Sequence, residues 1–138
     1  MGQQAARGAV GQLVELGIGE GRIAAAHRSA VCIYLARVLP STNPLIDPSS
    51  GTALVNLTEL ANDVVHQISH LKPGDALFKS ICWPLFLAGA ESRDPVQREW
   101  IMNTLDELYS HMFWGYLHTS KRVLEAIWKY LDQAAEGE

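Results

Sequence analysis

His66 and His70 stand four residues apart, with Asp63 three residues before the first, so a helix carrying them presents two imidazoles and a carboxylate on one face. Imidazole titrates near neutrality, and a pair at this spacing suits acid–base work, a hydrogen bond to an activating carbonyl, or the first two ligands of a metal. No further ligand is spaced to close a coordination sphere, so the pattern points to no metal and no cofactor. Gly-rich phosphate loops, nucleophile elbows and metalloprotease signatures are absent from the chain. The chemistry that remains is that of a shaped apolar cavity with one or two hydrogen-bond donors. Tyr34, Trp83, Phe86, Trp100, Met112 and Trp114 have the size and softness to line such a cavity, though most aromatics of this kind simply fill a core. His66 and His70 are thus the catalytic candidates and these six the ligand-binding candidates. In this reading an apolar ligand lies against Trp83, Phe86 and Trp114, one imidazole makes its polar contact and the other reaches solvent. The histidines read first as a solvated face flanking Val64 and Ile68, ahead of either chemical role.

The elements that must position these groups are helices, because apolar residues recur at helical spacing throughout and no stretch alternates long enough for a strand. Ala6, Val10, Leu13 and Val14 predict a first, weak helix, loosened by Gly8 and Gly11. A second runs from about residue 20 to 39 and ends at Pro40; from Ala30 onward it is apolar almost all round, which predicts burial on more than one side. Residues 40–52, with three prolines, form a surface loop or lid. Asn56, with Glu59 three residues on, caps a third helix bearing Leu57, Leu60, Val64, Ile68 and Leu71 and stopping at Lys72-Pro73-Gly74. Asp75 is read as the cap of a fourth helix over about 76–91. In it Pro84 leaves the Ser80 carbonyl without its usual partner and predicts a bend, which replacement by Ala should straighten. Asp94-Pro95 opens a fifth helix with the stripe Ile101, Leu105, Leu108 and Met112. After the break at Gly115 a last helix carries Leu124, Ile127, Trp128 and Leu131. The expected fold is all-α: one domain over residues 1–138, an antiparallel bundle of about six helices around a proline-kinked central one. Glu91 and Arg98 are expected to pair across a short loop, and Cys32 and Cys82 to be buried free thiols.

Composition removes several function classes. Eleven Lys and Arg against fifteen Asp and Glu leave a net charge of −4, a poor footprint for direct nucleic-acid binding. The longest apolar run, Ile81 to Ala90, contains Pro84 and falls well short of the roughly 20 residues that span a bilayer. The N-terminus has no basic region followed by an apolar core, and Ala6 stands where a myristoylation pattern wants Ser or Thr, so an intracellular location, cytoplasmic or nuclear, is expected.

The segment Ile81-Cys82-Trp83-Pro84-Leu85-Phe86-Leu87-Ala88-Gly89-Ala90-Glu91, then Gln97-Arg98, then Val123-Leu124-Glu125-Ala126-Ile127-Trp128, resembles the C-terminal part of the fungal-specific transcription factor domain. That domain is the helical regulatory region of fungal zinc-cluster activators. The upstream Tyr34-Leu35-Ala36-Arg37 is similar to the family too, and the resemblance covers about residues 25–132. It implies a fungal origin, a helical fold and a region that senses small molecules. Family members carry an N-terminal six-cysteine cluster holding two zinc ions; this chain has only Cys32 and Cys82, so the DNA-reading activity does not carry over. If a larger helical region normally covers these helices, apolar surface is left over, and a homodimer is the simplest cover.

Two functions follow as expectations. The first is a standalone protein of fungal secondary metabolism that binds an apolar small molecule, with a cofactor-free cyclase of the Diels–Alder type as its catalytic form. The second is a truncated transcriptional regulator, or an effector-binding or dimerisation module of one.

Overall fold

The computed structural model describes residues 2–39, 56–72, 74 and 78–137, with backbone alone for residues 2–18. Among the described residues there are five α-helices, one 3-10 segment and no strand. They are α1 (Gly2–Val38), α2 (Leu57–Ser69), the 3-10 segment Phe78–Ile81, α3 (Cys82–Glu91), α4 (Pro95–Met112) and α5 (Gly115–Glu136). The all-α fold is as expected, with one helix fewer.

The missing helix is explained at α1, where the two N-terminal helices of the sequence pattern are one continuous helix. Glycine weakens a helix by about 1 kcal/mol each but keeps its N–H and does not break the ladder. No glycine among the described residues adopts positive φ, and the first proline is Pro40. The loop at 40–52 and the Asp75 cap lie outside the described residues.

α2 starts where its cap predicts: Asn56 Oδ1 accepts from the backbone N–H groups of Thr58, at 3.0 Å, and Glu59, at 3.2 Å. It buries Ala61, Val64 and Ile68. At the start of α4, Asp94 Oδ1 accepts from the Val96 N–H at 3.0 Å and Pro95 takes the first helical position, where its missing N–H costs nothing. α4 ends at Phe113, which has φ 52° and ψ 28°, the one non-glycine residue with positive φ among the described residues. That left-handed residue turns the chain into α5.

The span expected as a single helix over 76–91 is in two parts, a 3-10 turn and then α3. Pro84 is the third residue of α3, inside the first turn, where backbone N–H groups have no intrahelical partner in any case. The irregularity that proline imposes is therefore a change of winding at the helix start, not a bend in mid-helix. α3 packs against each of the other four helices and is the centre of the bundle. Around it the fully buried Ile33, Val64, Ile68, Leu85, Ile101, Leu105, Leu108, Leu117 and Leu124 form one core.

Two burial expectations are corrected. Cys32 is exposed; only Cys82 is buried. The C-terminal half of α1 is covered on one side alone: Ile23, Ala26, Ala30 and Ile33 face α2 and α3, while Val31, Tyr34, Leu35, Val38 and Leu39 are exposed. An all-round apolar helix is buried all round only when elements exist on every side, and among the described residues none covers this one.

Candidate functional site

The motif residues of α3 and α5 meet in one joint. Gly89 lies where α5 crosses α3: a Cβ there would stand 3.0 Å from Leu124 Cδ1, 3.1 Å from Leu124 Cδ2 and 3.4 Å from Ile101 Cγ2. Glycine is what lets these helices approach. The Trp128 indole N–H then donates to the Gly89 carbonyl at 2.8 Å, a buried bond between α5 and α3. Arg98, reaching back from α4, sets its guanidinium 5.2 Å from the centroid of the Trp128 ring. Its Nε donates to the Ser92 carbonyl at 3.0 Å, and Nη1 holds Asp132 at 2.9 Å. Glu91 is taken instead by Arg37 of α1 in a two-pronged pair, Nε to Oε1 and Nη2 to Oε2, both 2.6 Å. The expected Glu91–Arg98 pair is thus replaced by Arg37–Glu91 and Arg98–Asp132: Glu91 ends α3 on the side of α1, and Arg98 is drawn toward α5. The hydrogen bond to Glu91 raises the Arg37 pKa, with burial opposing it.

The other candidates are dispersed. His66 and His70 are both exposed, with ring centroids 4.7 Å apart, and His70 Nδ1 lies 2.8 Å from the His66 carbonyl oxygen. Asp63 turns away from them, accepting from Ser29 Oγ of α1 at 2.7 Å and from Gln67 at 3.4 Å. No contact among the described residues brings either imidazole to Trp83, Phe86 or Trp114. Tyr34 and Trp83 do meet, 6.1 Å between centroids, and His27 stacks on the same indole at 6.3 Å. Trp114 stacks instead on Tyr116 at 5.4 Å. Phe86, Trp100 and Met112 are half-buried against the core. The Cys82 thiol lies within hydrogen-bonding reach of the Tyr116 hydroxyl; burial pushes its pKa up, and that contact works against the shift. Tyr116 is raised too, by desolvation first and then by Cys82.

What the sequence reading missed is a surface. Val31, Tyr34, Leu35 and Val38 follow the i, i+3, i+4, i+7 rule of a single helix face, and all four are exposed. Trp83, 42% exposed, continues this face from α3 through its contact with Tyr34. The spacing was visible in the sequence, but it is hidden inside a longer apolar run. Among the described residues no group of three or more His, Cys, Asp and Glu side chains could hold a metal ion, and no helix is long and apolar enough to cross a membrane.

Residues 10–137 match the family described as the fungal specific transcription factor domain. The acriflavine sensitivity control protein acr-2 of Neurospora crassa is 29% identical over 122 residues, covering 83% of this chain and 19% of the Neurospora protein. The chain thus spans about a fifth of the length of that relative. No solved structure matches.

Proposed function

The chain belongs to the fungal specific transcription factor domain family, and from that premise we propose that it is a regulatory module of transcription-factor type, acting in the nucleus by pairing with a second copy through the apolar face of α1. The observation that carries this reading is the exposed stripe Val31, Tyr34, Leu35 and Val38, extended by Trp83. A continuous apolar helix face left open to water is a standing cost that association removes, and a two-fold pairing covers it on both partners at once. The Neurospora relative is named for control of acriflavine sensitivity, a regulatory description. The cyclase reading draws no such support. Trp83 and Trp114, expected to enclose its substrate, are exposed and belong to separate aromatic pairs.

The test is sedimentation velocity at tens of micromolar chain. The unchanged protein should run as a dimer, and Leu35→Asp as a folded monomer with unchanged helix content by circular dichroism. A monomeric parent protein, or a Leu35→Asp variant that still dimerises, would overturn the reading.

A further inference from the structure

We propose that the cleft beside the α3–α4 turn binds a small carboxylate carrying an apolar tail. The cleft has a volume of about 300 Å³ and is lined by Arg37, Ala90, Glu91, Arg93, Ile127 and Leu131, so four parts of the fold contribute: the end of α1, the end of α3, the turn, and α5. Its lining divides by chemistry. Ala90, Ile127 and Leu131 are half-buried and form an apolar floor. At the rim the Glu91 carboxylate is occupied on both oxygens by Arg37. That leaves Arg93, exposed and without a hydrogen bond or ion pair among the described residues. An unmatched guanidinium and an apolar floor therefore line the same cleft, on a chain whose net charge is −4. Its forked donors fit the two oxygens of a carboxylate.

The volume sits at the lower end of small-molecule sites, which limits the tail to roughly an octyl chain. Arg37 borders the pairing stripe, three residues from Tyr34, but its guanidinium is held by Glu91 and the apolar floor of the cleft lies on α3 and α5, outside the stripe. This inference does not rest on the dimer.

The experiment is an NMR titration of the full chain with octanoate at about 0.15 M ionic strength, following the methyl groups of Ala90, Ile127 and Leu131. Octan-1-ol and octylamine serve as probes with the same tail and no charge or the opposite charge. Octanoate should bind saturably and shift these methyls, with both other probes at least about tenfold weaker. Arg93→Gln should weaken octanoate about tenfold, or 1.4 kcal/mol, and leave octan-1-ol unchanged. The exposed position of Arg93 makes that variant safe for folding. Failure to saturate by about 10 mM, ten times weaker than a millimolar complex, would overturn the proposal. So would equal affinity for the three probes, or octanoate binding indifferent to Arg93→Gln.

Discussion

At Gly89 two effects of similar size oppose each other. Alanine would favour the helix by about 1 kcal/mol, while its methyl would press on Leu124 and Ile101, both fully buried and unable to swing into solvent. Overpacking of this kind costs about 1–3 kcal/mol, so Gly89→Ala should lower stability by about 1 kcal/mol net. Urea denaturation measures it, and adding Leu124→Val should recover part of the loss, because the shorter side chain draws both crowding methyls back toward α5. A stabilised Gly89→Ala protein would show that α5 can shift without penalty. The same crossing explains why the Glu91–Arg98 pair is not formed. Neighbours along the chain are not neighbours across a joint: Glu91 and Arg98 sit on helices that turn toward different partners.

At the scale of the element, Pro84 changes its meaning once its place in α3 is known. As a mid-helix kink it would be a candidate for harmless removal. As the third residue of α3 its backbone lacks nothing, and its ring is among the fully buried side chains. Pro84→Ala should therefore cost about 1–2 kcal/mol through the space it leaves and should not lengthen the helix. Thermal unfolding followed by circular dichroism separates the two effects: a lower midpoint with unchanged helix signal is expected, and a raised helix signal would restore the kink. α1 carries the converse lesson. Its glycines read as a boundary, yet a helix needs a proline or a capping conformation to stop, and neither occurs before the described part of α1 ends at Val38.

For the whole molecule, two groups near the N-terminal end of α3 predict an alkaline limit. Cys82 is raised first by burial, and Tyr116 by desolvation and then by Cys82. A raised pKa in the fold means that the folded chain keeps protons the unfolded chain releases. The contribution is complete below the usual thiol value of about 8.5 and is lost as pH rises beyond it. Urea midpoints should hold between about pH 7 and 8 and fall by about pH 10, with Cys82→Ala showing a shallower fall than the parent. An identical fall in both proteins would remove Cys82 as the cause. The periodic stripes of α2 and α4 were legible in the sequence because a buried face repeats along one dimension. The functional surface was not, since whether Val31 or Leu35 is covered depends on which other helices fold against α1. The six aromatic and Met candidates suffer the same ambiguity: three proved half-buried in the core and three lie at the surface.

The bond from Trp128 to the Gly89 carbonyl also makes this chain its own optical reporter. Of its four tryptophans, Trp128 is the buried one; Trp83 and Trp114 already face water and Trp100 is half-buried. Emission from Trp128 therefore tracks the closure of α5 on α3. With Trp83, Trp100 and Trp114 replaced by Phe, the remaining blue-shifted band would move to the red as that joint opens, whatever the rest of the bundle is doing.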